Sequence, residues 1–220
     1  MKETAQAGEV TLPIVRHVPS KLNERGVSRS WLRVPPDPEQ LEKLGPGIVK
    51  TLKGLNISSL ESSDLPRASG TAKYLADEMN IPTKSMYEWR TWNSGSDVSG
   101  KKEAETIPIR QKFIKYPEEK PRGGEEFQEF LDRVEPQLKR VIEENRKNPD
   151  EQKGLVLHGH HFMALEDMMN GKPVDPKRLE TLDKDFPPGS VSLLHVRGDG
   201  ADLERIHPAG MDEKMNAAGK

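Results

Sequence analysis

The 220-residue chain contains no cysteine. That excludes disulfides, thiolate nucleophiles and cysteine ligands for zinc, and it leaves the redox compartment open. Aromatic residues are scarce, at 5%, and hydrophobic residues make up only 33%. No run approaches the roughly 20 apolar residues of a membrane helix. The opening MKETAQAGEVT has no apolar stretch of the kind a secretory signal carries, so the expected location is cytoplasmic. Charge of one sign is also missing. Lys and Arg number 34 against 36 Asp and Glu, a net charge of -2, so no global basic field draws nucleic acid or an anionic membrane. Anion binding must therefore be local.

At this length a single domain with its own core is expected over residues 1–208. Residues 89–124 read as an irregular, charged flap or insertion, and 209–220 as a flexible tail. Leu12–Val15 reads as a short buried strand, its proline near the start where a missing donor matters least. Pro19–Pro46 reads mostly as loop, Gly47–Leu55 as helix and Asn56–Leu60 as a second strand. Leu65, Ala68, Ala72, Leu75, Ala76 and Met79 recur at helical spacing, with Ser63 and Asp64 as caps. Glu125–Asn145 is the clearest helix, striped by Phe127, Phe130, Leu131, Val134, Leu138, Val141 and Ile142 and bent at Pro136. GLVLHGHHFMALEDMM then gives strand, turn and helix, and SVSLLHV with LERIHP gives two closing strands.

Strands alternating with helices predict an α/β fold, a three-layer αβα sandwich with a mostly parallel sheet flanked by helices. Ligands of such sheets collect beyond the carboxyl ends of strands. Arg16 and His17 end the first strand and His158 ends a later one, so the reactive side chains converge on one edge.

A neutral imidazole can attack phosphorus and hold a phosphoryl group covalently. The transferred group spreads negative charge over its oxygens, which arginine forks suit. Two histidines and two arginines on one rim, His17, His158, Arg16 and Arg67, make a phosphoryl-transfer site without metal.

The order of these motifs resembles the histidine phosphatase superfamily, in its phosphoglycerate-mutase-like branch. That family opens with Arg-His-Gly-x-Thr-x-x-Asn, matched here by Arg16, His17, Val18, Ser20 and Asn23. Its Ser-Ser-Asp-Leu-x-Arg-Ala-x-x-Thr-Ala block is matched throughout by SSDLPRASGTA, Ser62–Ala72. Gly123–Glu126 resembles its Gly-Gly-Glu-Ser, and Leu157–Gly159 its Ser-His-Gly. The resemblance spans roughly residues 12–196. It implies a phosphoglycerate-mutase-like fold, phosphoryl transfer to His17, and a phosphoryl group held by Arg16, Arg67, His158 and Asn23. It also implies hydrolysis of a phosphomonoester, a small molecule, with neither metal nor cofactor.

The chain departs from the family pattern in three places. Val18 replaces the glycine after the nucleophile, and Glu126 replaces a serine. Thr91 stands where many members carry the carboxylate that protonates the leaving oxygen. Glu88 is a candidate for that proton donor, Asp97 is a second, and a reading with neither stays open. The alternative function is a weak or inactive member that binds a phosphate ligand or a protein. A phosphoglycerate-type mutase is a third, disfavoured because no further basic cluster accompanies the motifs.

Glu125 is expected to order the entry to its helix rather than react, and Trp31 and Trp92 to pack at the pocket mouth. His158, His160 and His161 suggest a metal, but two ligands need a third, and no other histidine stands at a helpful spacing. His160 or His161 lining the pocket is the favoured reading. Gly95–Lys102 approaches a phosphate-binding loop, but Lys102 stands where a hydroxyl is required.

Overall fold

A computed structural model describes residues 9–198 and 200–206. The tail expected at 209–220 lies outside the described residues. In chain order the elements are β1 (Val10–Arg16), α1 (Lys21–Glu24), α2 (Pro38–Gly54), β2 (Ile57–Ser63), α3 (Pro66–Met79) and β3 (Thr83–Met86). There follow α4 (Glu103–Lys115), α5 (Phe127–Lys147), β4 (Gln152–Leu157), α6 (Gly159–Met169), α7 (Arg178–Asp185), β5 (Val191–Arg197) and β6 (Gly200–Ile206).

The six strands form one sheet in the order β3-β2-β4-β1-β5-β6. β1 and β2 both run parallel to β4, and β3 runs parallel to β2, while β5 opposes both β1 and β6. Side chains alternate along β1: Val10, Leu12 and Ile14 join one buried cluster and Val15 the other. A strand covered on both faces requires that pattern. On one side α2 and α3 supply Leu44, Ile48, Leu52, Ala72 and Leu75 to a core with Leu60 and Val156. On the other, α5, α6 and α7 pack Phe130, Leu138, Phe162 and Leu182 over Ile14 and Leu155. Burying each such large side chain is worth about 1.5–3 kcal/mol. The result is the three-layer α/β architecture expected.

Several elements differ from their sequence reading. α2 begins nine residues before Gly47, because Asp37 accepts the Glu39 N–H at 3.0 Å and Pro38 opens the helix. Residues 89–124 are not wholly irregular; they contain the 13-residue α4. Its buried face is Thr106, Arg110 and Ile114, a stripe too polar to show as hydrophobic periodicity. β3 is a short edge strand with three of its four residues exposed. Asp64 does not cap α3. The Ser63 hydroxyl accepts the Leu65 N–H at 3.2 Å, and Asp64 instead binds Arg90 at 2.7 and 2.6 Å. No described helix is long and apolar enough to cross a membrane.

Candidate active site

β1, β2 and β4 end on the same edge of the sheet. His17 leaves β1 still tied to β4: its N–H donates to the Leu157 carbonyl at 3.0 Å, and Gly189 N–H donates to the carbonyls of Arg16 and His17. The His17 Nδ1 lies 2.7 Å from the Val18 carbonyl. A carbonyl only accepts, so Nδ1 carries the proton and Nε2 keeps its lone pair. Burial, with Arg67 beside it, pushes the His17 pKa well below 6.5. A neutral imidazole with Nε2 available is the nucleophilic form.

Val18 does not crowd this cleft. Its side chain belongs to the α2–α3 core, and its N–H donates to the Thr71 hydroxyl at 3.2 Å. That hydroxyl in turn donates to the Arg67 carbonyl at 2.8 Å. The threonine of the SSDLPRASGTA block thus ties the turn after His17 to the first turn of α3.

His158 stands immediately before α6, its ring edge-on to His17 with centroids 5.1 Å apart. Neither of its ring nitrogens has a partner among the described residues. Burial, Arg67 and His17 hold its pKa well below 6.5. A Cβ on Gly159 would lie 3.0 Å from Arg16 Nη2, so glycine lets that guanidinium lie against the start of α6. Arg16 meets Asp183 at 2.5 Å and donates to the Phe186 carbonyl just past α7.

Arg67, the second residue of α3, is 2% exposed. It donates to the carbonyls of Leu32 at 3.0 Å and Ser30 at 2.7 Å. Burial, then Arg29 and Arg16, pulls its pKa from 12.5 to about 9. Ser30 has φ +42°, the left-handed region that non-glycine residues seldom adopt. Its hydroxyl donates to Asn93 Oδ1 and accepts the Ser94 N–H, each at 3.1 Å.

Arg29, Glu103 and Arg110 also line the cleft. Glu103 Oε1 sits 3.7 Å from Arg29 and 3.6 Å from Arg110. Set against the four arginines, the two carboxylates Glu103 and Asp183 leave a surplus of two positive charges. The sequence reading missed Arg29, Arg110, Glu103 and Asp183. Arg29 lay in a Pro- and Gly-rich loop and Arg110 on an unrecognised helix, so nothing local marked them.

Three residues expected here lie elsewhere. Asn23 sits in α1, where its Oδ1 accepts the Ser20 N–H at 2.9 Å and hydroxyl at 2.8 Å; it closes its own turn. Glu88 falls on the 3-10 turn Tyr87–Trp89, outside the cleft, with its carbonyl receiving Arg133 at 2.8 Å. Asp97 pairs with Arg122 at the surface at 3.3 Å and is 45% exposed. Thr91 does line the cleft, with its hydroxyl 2.9 Å from His160 Nδ1. His160 lines it as well. His161 instead turns into the core against Phe130 and Trp89, where burial lowers its pKa to about 3. Among the described residues no three His, Cys, Asp or Glu side chains gather as metal ligands. Trp92 is buried rather than at the mouth, donating to the Glu125 carbonyl at 2.9 Å. Glu125 orders the helix entry as expected, accepting the Asn93 N–H and Arg133 at 2.8 Å each.

A twisted sheet covered on both faces, with two facing histidines and buried arginines at its carboxyl edge, defines the phosphoglycerate-mutase-like class. The chain belongs to the histidine phosphatase superfamily, branch 1, whose profile matches residues 12–207. No curated protein sequence matches it significantly. Among solved structures it is similar to a mycobacterial glucosyl-3-phosphoglycerate phosphatase complexed with VO3, with TM-score 0.71 and 19% identity over 90% of this chain and 99% of that one. A phosphoglycerate mutase from Bacillus anthracis has TM-score 0.70 and 18% identity, covering 91% and 93%. An alpha-ribazole phosphatase from Shigella flexneri has TM-score 0.66 and 20% identity, covering 90% and 96%. At these identities the similarity is one of fold.

Proposed function

We propose that the protein is a metal-independent phosphatase that hydrolyses a small phosphomonoester through a phosphohistidine on His17. One observation supports this above the others: a buried neutral His17, Nδ1–H engaged by Val18, faces His158 in a cleft with two surplus positive charges. That surplus matches a phosphomonoester dianion. In the first step the His17 Nε2 lone pair attacks phosphorus, the ester P–O bond breaks, and the alcohol leaves with a proton. In the second, water attacks phosphorus, the N–P bond breaks, and inorganic phosphate leaves. Arg16, Arg67 and His158 hold the non-bridging oxygens throughout. Positioning and electrostatics supply most of the rate in such transfers. The small organic phosphates named for the two similar phosphatases support that substrate class.

One observation favours a mutase: Arg29 and Arg110 extend the basic lining beyond the four motif residues. A mutase passes the phosphoryl group to a second hydroxyl instead of water, so inorganic phosphate release separates the two. The test is hydrolysis of p-nitrophenyl phosphate in EDTA, from pH 5 to 8, by wild type and His17→Ala. The wild type is expected to release phosphate and the variant none. Undiminished turnover by His17→Ala overturns the proposal. Vanadate binding without turnover by either protein supports a non-catalytic binder instead.

A further inference from the structure

We propose that His160, oriented by Thr91, moves the protons of this reaction in place of a carboxylate. The proposal rests on the phosphatase reading above. Both chemical steps need a proton carrier, first for the departing alcohol and then for the attacking water, and the cleft offers few groups for it. The His17 Nδ1–H is committed to Val18 and its Nε2 to phosphorus. His158 faces the His17 ring and the phosphoryl position. Glu103 serves as countercharge to Arg29 and Arg110. Glu88 and Asp97 lie outside.

His160 remains. It follows His158 by two residues in the first turn of α6 and lines the same cleft. Its ring is fixed twice, by Thr91 Oγ1 at 2.9 Å from Nδ1 and by the Trp92 ring, perpendicular with centroids 5.5 Å apart. Its Nε2 is buried with no partner among the described residues. The Thr91 hydroxyl can accept from Nδ1–H, and that tautomer leaves the Nε2 lone pair toward the cleft. With Nδ1 keeping its proton throughout, Nε2 can take up a proton and return it. Burial and Arg110, with His161, Arg16 and Arg29 adding, keep the empty-cleft imidazole neutral, so it holds a proton only beside the phosphoryl charge.

The protons balance as follows. The substrate enters as a monoanion, and His160 Nε2 takes the phosphoryl proton, leaving bound the dianion that the cleft's two surplus charges match. It returns that proton to the ester oxygen as the His17 Nε2–P bond forms and the P–O bond breaks. In hydrolysis Nε2 accepts a proton from water as oxygen bonds to phosphorus and the N–P bond breaks. That proton then leaves on inorganic phosphate, and His160 is neutral again.

Leaving-group dependence tests this directly. A nitrophenolate departs without a proton, whereas an alkoxide does not. Positioned proton transfer contributes about 10²–10⁴-fold, so His160→Gln should lower kcat/KM for 2-glycerophosphate by about 100-fold or more. Its kcat/KM for p-nitrophenyl phosphate, set by the first step alone, should stay within about threefold, while kcat on that ester falls because hydrolysis of the phosphohistidine still needs the base; an unchanged urea midpoint shows that the variant folds. Thr91→Val should show the same selectivity with a smaller loss. Equal losses of kcat/KM on both esters overturn the proposal, as does selective loss in Glu103→Gln with His160→Gln unaffected. A wild type confined to the nitrophenyl ester lacks an effective acid and overturns it too. Failure of the phosphatase reading would appear separately, as activity retained by His17→Ala.

Discussion

Replacing His161 with leucine removes a histidine that the native fold cannot protonate. Its ring is fully buried against Phe130 and Trp89, and its pKa falls to about 3 from the ordinary 6.5. The folded-state value is depressed, so the stability this group contributes is complete above pH 6.5 and is lost as pH falls toward 3. Over that window the unfolded chain binds a proton that the native state refuses. At pH 5 the protonated form of the unfolded imidazole is favoured about 30-fold, which corresponds to about 2 kcal/mol. Leucine is close in volume and has no such linkage. Urea denaturation at pH 8 and pH 5 measures the difference. Between those values the wild type should lose about 2 kcal/mol more than His161→Leu, about 1 M in urea midpoint at a typical slope. The remaining titrating groups are common to both proteins and cancel. Identical pH dependence in the two would refute the reasoning.

Arg67→Ala should weaken vanadate binding and turnover together by about 10–100-fold, since charge-assisted hydrogen bonds of about 1.5–3 kcal/mol are lost; unchanged vanadate affinity by titration would count against its role. Gly124→Ala places a Cβ 2.4 Å from the Asn93 carbonyl oxygen and 2.8 Å from the Gly95 nitrogen. Neither backbone atom can swing aside, so a loss of about 1–3 kcal/mol is expected, and an unshifted urea midpoint would contradict it. Phosphatase activity should persist after dialysis against EDTA, and loss reversed by added zinc would show that a metal takes part.

The motif residues were legible because their geometry is local. Arg16 and His17 follow directly from the end of a strand, and SSDLPRASGTA encodes both the arginine and the threonine that fixes the neighbouring turn. The sandwich was legible because the stripes on α3 and α5 are apolar. Legibility failed where burial is polar: α4 hides Arg110 behind Thr106, and no apolar period announces it. Glu88 and Asp97 lie near the expected acid only in sequence. The chain instead brings Thr91 to the cleft and turns its two neighbours in charge away from it. Asn23 matched a motif position, yet its amide oxygen is taken by Ser20 within four residues of chain.

Ser30 imposes two separate demands on one position. Its left-handed backbone excludes valine, isoleucine and threonine, and its hydroxyl joins the loop that receives Arg67 to the Asn93–Ser94 segment. Glycine would meet the first demand and fail the second; alanine would fail both. Among short polar side chains that tolerate this conformation, asparagine beside serine carries both a donor and an acceptor, whereas aspartate could accept from Ser94 but has no proton to give Asn93 and would spend one of the cleft's surplus charges. The vocabulary open to this site is thus narrowest at a residue that takes no part in bond making.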